Sequence, residues 1–119
     1  MTIKGNCGPF ALAAIIGIPV DEVERLYAKR YGKSTRWQGN SHIGGLVHLS
    51  KSIGHPLKKE GAGGSLKRWV SESIPGRKYL VRVGGHFVAV INGDVIDQYG
   101  DDRLDILAKR RVTHAYFTT

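Results

Sequence analysis

The chain has only one cysteine, Cys7, among its 119 residues. A single cysteine excludes an intrachain disulfide and any metal site that is built on several cysteines. Two interpretations of Cys7 are left, an inert thiol in the core or a reactive thiol at a functional site. The residues around Cys7 must distinguish them.

Long hydrophobic runs and a secretory signal are also missing. The longest apolar stretch, residues 9–18, is interrupted by Gly17 and is much shorter than the roughly 20 residues that span a bilayer. The first residues show no basic segment followed by an apolar run and a cleavage site. We therefore expect a cytoplasmic protein without membrane association. No repeat, linker or low-complexity tract divides the chain, so we predict one domain over residues 1–119.

Acidic residues are scarce relative to basic ones. The chain has 10 Asp and Glu against 18 Lys and Arg, which gives a formal net charge of +8. Such a charge attracts anionic partners, either nucleic acid or acidic proteins. Since no nucleic-acid-binding motif accompanies it, a solvated basic surface is the favoured interpretation and an anionic partner is the alternative.

The hydrophobic pattern predicts helices first and strands second, which is typical of the α+β class. We predict helices at Cys7–Ile16, at about Val20–Tyr31, after Ser41 and after Ser65, and strands at residues 79–83, His86–Ile91, residues 95–99 and residues 112–117. The first helix is apolar nearly all round, which indicates a buried helix. An Asn-Gly pair between two of the strands predicts a hairpin.

Cys7 lies where the buried first helix begins. A helix N-terminus offers a positive dipole end and unpaired backbone N–H groups, which favour a thiolate and can hold a developing oxyanion. Gly8 has no side chain to obstruct an approaching carbonyl, and Pro9 loses no hydrogen bond in a first turn. This placement favours the reactive interpretation of Cys7.

His86 is the predicted base for Cys7. A two-residue hairpin turn would pair Ile91 with Asp94, so that Asp97 lies diagonally across from His86 on the same face. A carboxylate in that place fixes the imidazole tautomer and stabilises the imidazolium. A register slip of one residue would move Asp97 to the opposite face. Gly85, directly before the histidine, leaves room for a substrate.

Two segments resemble the papain-like cysteine peptidases, especially the compact bacterial and phage branch that includes the bacteriocin-processing type. The segments are Asn6-Cys7-Gly8-Pro9-Phe10-Ala11-Leu12, similar to the nucleophile motif, and residues 85–90 with 93–97, similar to the histidine strand and the acid strand. The resemblance implies a helical half packed on a small antiparallel sheet, with a cleft between them. It also implies hydrolysis of a peptide, isopeptide or amide bond through a thioester, a peptide or protein substrate, and no cofactor. In this family Cys7 would be the nucleophile, His86 the general base and acid, and Asp97 the orienting residue.

One position departs from the family pattern. The family usually has a glutamine about six residues before the nucleophile as a second oxyanion donor, and here that position is Met1. We consider Asn6, Gln38 and Gln98 as replacement donors. The departure also supports a second hypothesis, a catalytically weak or inactive module on the same fold that binds a host protein or nucleic acid through its basic surface.

Further residues are candidates for the cleft or for a metal site. Gly8, Gly85, Tyr99 and Trp37 are candidates for lining the cleft, and a core aromatic that anchors its loop is the alternative for Trp37. His42 and His48 do not share a helical face well, so we predict no metal site.

Overall fold

The computed structural model describes residues 6–32 and 41–119. These residues form five helices and a five-stranded sheet, which confirms the predicted α+β class. In chain order the elements are α1 (Cys7–Ile16), α2 (Val20–Tyr31), α3 (Ile43–Ser52), β1 (Lys58–Glu60), α4 (Leu66–Ser71), β2 (Lys78–Val83), β3 (His86–Ile91), β4 (Asp94–Ile96), α5 (Leu104–Ala108) and β5 (Val112–Thr118).

The sheet is antiparallel, with the strand order β1-β5-β2-β3-β4. The β3–β4 hairpin turns at Asn92 and Gly93, whose φ angles of 50° and 81° are those of a turn that matches the twist of the flanking strands. Ile91 pairs with Asp94, which confirms the predicted register. The register carries the chain beyond β4 back toward the start of β3, where His86 lies.

Helix α1 packs against one face of the sheet together with α2 and α3. Its side chains share a core cluster with Leu80 and with Phe87 and Ala89 of β3, and seven of its ten residues are buried. This confirms that the helix without a polar face is a buried one. Because α1 lies on β3, its first residue is placed close to the first residue of that strand.

The opposite face of the sheet is covered as well. Val81 and Val83 of β2 and Val88 and Val90 of β3 form a second core cluster with residues of α4 and α5. Burial on both faces explains why β2 and β3 are apolar almost throughout instead of alternating.

Two elements were not predicted from the sequence. Strand β1 (Lys58–Glu60) is a polar edge strand, and charged residues are common on edges because they discourage pairing with other chains. Helix α5 (Leu104–Ala108) has only five residues, too few for a clear helical period. Both interrupt the expected order of helices first and strands second.

Within the described ranges, the structure contains no helix that is long and apolar enough to cross a membrane.

Candidate active site

The thiol of Cys7 lies at the start of α1. The helix begins with a hydrogen bond of 3.0 Å from the backbone N–H of Phe10 to the carbonyl oxygen of Asn6. Cys7 is a free, partly exposed cysteine. Its sulfur lies in hydrogen-bonding contact with the His86 ring and with the backbone N–H groups of Phe87 and Gly8. The start of the helix and the start of β3 therefore meet at this sulfur.

The contacts of the pair shift both of its pKa values. Burial raises the pKa of Cys7, but the hydrogen bond from His86, the backbone N–H groups and the charge of the imidazolium outweigh it, so that the pKa of the thiol lies below its usual value. The bond to Cys7 raises the pKa of His86 above its usual value, with a further contribution from Asp97 and against an opposing effect of burial. Opposite shifts of this kind favour a thiolate beside an imidazolium.

Asp97 accepts the hydrogen bond of the histidine on its other side. His86 Nε2 lies 2.6 Å from Asp97 Oδ1, and the Asp97 side chain is fully buried. Because Nε2 is engaged by the carboxylate, Nδ1 is the ring nitrogen left for Cys7. The diagonal contact predicted from the hairpin register is therefore observed, and the three side chains form one chain of contacts.

Tyr99 covers the imidazole. Its ring stacks on the His86 ring with 6.3 Å between centroids and an angle of 20° between planes. An aromatic ring at that place limits the access of water to the bond between His86 and Asp97. Of the predicted cleft residues, Gly8, Gly85 and Tyr99 all lie beside Cys7 or His86, whereas Trp37 lies outside the described residues.

Two of the three amide candidates contact each other. The side-chain amide of Gln98 donates a hydrogen bond to Asn6 Oδ1, and the Asn6 side chain also contacts the carboxyl group of Glu24 on α2. Burial raises the pKa of Glu24, and the contact with Asn6 opposes this effect. These contacts hold the residue before Cys7 in place. The side chain of Asn6 is thus engaged by other residues of the protein. Gln38, the third candidate, lies outside the described residues.

The contact of Glu24 with Asn6 is not predictable from the sequence. Glu24 lies on the second helix, far from Cys7 in the sequence. The pattern there indicates only a charged residue on an amphipathic helix. Only the packing of α2 against α1 brings it to Asn6, so no local pattern could have revealed it.

Gly8 is required by the packing around the start of α1. A Cβ atom at this position would lie 2.1 Å from Ser41 Oγ and 3.0 Å from Leu46 Cδ1. The Ser41 hydroxyl is buried, and among the described residues it has no hydrogen-bond partner. The absence of a side chain at Gly8 thus lets residues before and within α3 approach the helix next to Cys7.

We expect Gly8→Ala to lower the free energy of unfolding by about 1–3 kcal/mol, because the new methyl group overlaps Ser41 Oγ. Gly44 is a matched control, since it is also the second residue of its helix and a Cβ there meets nothing within 4 Å. Gly44→Ala should instead raise the stability by up to about 1 kcal/mol. Urea unfolding measures both changes.

Adding Ser41→Ala to Gly8→Ala should restore part of the lost stability, because it removes the overlapping oxygen. Stabilisation by Gly8→Ala equal to that by Gly44→Ala would show that the close packing at Gly8 is not as described.

The described part of the chain holds no group of three or more His, Cys, Asp or Glu side chains that could bind a metal ion.

Comparisons of the chain with models of known families, with curated proteins and with solved structures gave no match. Function is therefore inferred from the geometry of the site.

Proposed function

We propose that this protein is a cysteine hydrolase of the papain-like type that cleaves a peptide, isopeptide or amide bond through a thioester. The observation that carries the proposal is the chain of contacts from the Cys7 sulfur through the His86 ring to the buried carboxylate of Asp97. A nucleophile, a base and an orienting group in contact are what acyl transfer to a thiol requires.

The first half of the reaction forms the thioester. The Cys7 thiolate attacks the carbonyl carbon of the substrate, and backbone N–H groups at the start of α1 are near enough to stabilise the resulting oxyanion. The bond from carbon to nitrogen then breaks, and the imidazolium of His86 gives its proton to the leaving amine. An acyl group on the sulfur and a neutral imidazole are left.

The second half releases the acid. Neutral His86 takes a proton from water, which attacks the thioester carbonyl, and the sulfur leaves as the thiolate. Asp97 steadies the imidazolium in both halves, since its oxygen accepts the hydrogen bond from Nε2 whenever Nδ1 carries or transfers the proton. The thiolate and the imidazolium are then restored together.

Turnover of p-nitrophenyl acetate tests the proposal. We expect each protein molecule to release many equivalents of p-nitrophenolate, with an acetyl group detected on Cys7 by mass spectrometry during turnover. The Cys7→Ala variant serves as the control and should lose both signals. The competing hypothesis, a catalytically silent binding module, predicts at most one slow acetylation of Cys7 without turnover, and that result would refute the hydrolase.

A further inference from the structure

Two arginine side chains border the turn that carries His86. Arg82 Nη2 lies 3.8 Å from the place that a Cβ on Gly85 would occupy, and Arg110 Cδ lies 3.4 Å from the corresponding place on Gly84. Both glycines have positive φ angles and form the turn from β2 into His86. The two guanidinium-bearing side chains therefore flank the start of the strand that carries the base.

A third arginine lies beside the aromatic ring that stacks on the histidine. The Arg103 guanidinium carbon is 5.4 Å from the centroid of the Tyr99 ring, and that ring stacks on His86. Arg103 follows β4, whereas Arg82 belongs to β2 and Arg110 lies two residues before β5. Arg82 and Arg110 thus lie beside the two glycines before His86, and Arg103 lies beside the ring that stacks on the imidazole.

The charges of these arginines are not neutralised within the described part of the protein. The ion pairs found there that involve arginine use Arg25, Arg68 and Arg77. Asp101 and Asp102, the carboxylates next to Arg103 in the sequence, form no ion pair with it among the described residues. The nearest carboxylate to the imidazole, Asp97, is already bonded to His86.

We infer that the substrate is an acidic peptide or protein segment, with an Asp or Glu side chain close to the bond that is cleaved and bound by Arg82, Arg103 or Arg110. This inference rests on the proposed function, because the arginines can bind a substrate only if Cys7 and His86 react with one. Guanidinium groups bind carboxylates with two parallel hydrogen bonds. Unpaired cations around a site also raise the local concentration of an anionic substrate.

Reactive probes measure this preference without knowledge of the natural substrate. The probes are tripeptide vinyl sulfones that carry either Glu or its neutral isostere Gln at one position at a time. In the unmodified protein we expect the Glu probe to label Cys7 about tenfold faster than the Gln probe at one position at least. Arg103→Ala and Arg110→Ala should each lower this ratio of rates, and Arg110→Glu should lower it further than Arg110→Ala does.

Lys58→Ala is the matched control, since it removes one positive charge at the far end of the sheet. Lys58 pairs with Phe117, about 17 Å along β5 from Val112, the partner of Val83 near the site. The ratio should not change in this variant. A ratio of one at every position, or a ratio that none of the arginine variants changes, would overturn the inference while leaving the hydrolase intact.

Two further outcomes separate the alternatives. Labelling by both probes at no more than the rate of free cysteine would refute the proposed function, and the inference with it. The protein could also show no preference between the probes while a single-stranded oligothymidine slows both equally. That result would assign the arginines to nucleic acid and refute an acidic substrate.

Discussion

Alanine in place of His86 is expected to lower the rate at which iodoacetamide alkylates Cys7 at mildly acidic pH by on the order of a hundredfold. In the folded protein the hydrogen bond and the charge of His86 help to hold the pKa of Cys7 below its usual value. Without the imidazole, only the backbone N–H groups oppose the effect of burial on the pKa of Cys7. The pKa therefore rises, and at mildly acidic pH the thiolate is lost.

The complete rate profile with pH distinguishes this effect from simple damage. In the unmodified protein, alkylation should persist below the usual thiol pKa and decline only when the pH passes the lowered pKa of Cys7. In His86→Ala, the same decline should begin at higher pH, while the rate at strongly alkaline pH stays similar because the thiolate is present in both proteins. Superimposable profiles would contradict the activated pair.

His48→Ala is the control for the loss of a histidine. His48 lies on α3 with an exposed side chain and is not among the residues that contact Cys7. We expect its alkylation profile to match that of the unmodified protein. Turnover of p-nitrophenyl acetate should also be lost in His86→Ala and kept in His48→Ala, since deacylation needs a base at the thioester.

The start of a buried helix at Cys7 and the contact of His86 with Asp97 could be predicted because both depend on local sequence. An apolar run after Cys7 indicated a buried helix, and the Asn-Gly turn fixed the register that places Asp97 beside His86. Both steps depend on residues that are close in the sequence. The contact between Cys7 and His86 is the one long-range step. It was predicted because Asp97 beside His86 makes a base with an orienting carboxylate, and the resemblance to a family implies the same pairing.

Contacts between distant segments could not be predicted in this way. Glu24 reaches Asn6 only through the packing of α2 on α1, and Ser41 reaches Gly8 only through the path of the chain before α3. The basic residues were visible as groups along the chain, but their positions around the site depend on the strand order. For example, Arg82 of β2 and Arg110 before β5 both lie at the turn into His86 because β2 pairs with both β3 and β5.

Replacement of Asp97 by alanine is expected to lower kcat/KM for p-nitrophenyl acetate by roughly a hundred- to ten-thousandfold. The carboxylate accepts the hydrogen bond of His86 Nε2 at 2.6 Å and thereby keeps Nδ1 directed at Cys7. It also contributes to the raised pKa of His86. Asp97→Ala should therefore both misdirect the ring and lower the pKa of the imidazolium, which moves the alkaline limb of the pH–rate profile to lower pH.

Asp97→Asn separates these two roles of the carboxylate. The amide oxygen of asparagine can still accept the bond from Nε2, but it carries no charge. We expect this variant to keep most of the activity at its optimal pH, with the alkaline limb shifted to lower pH as in Asp97→Ala. A variant Asp97→Asn as inactive as Asp97→Ala would show that charge, and not the acceptor oxygen, is what the imidazole requires.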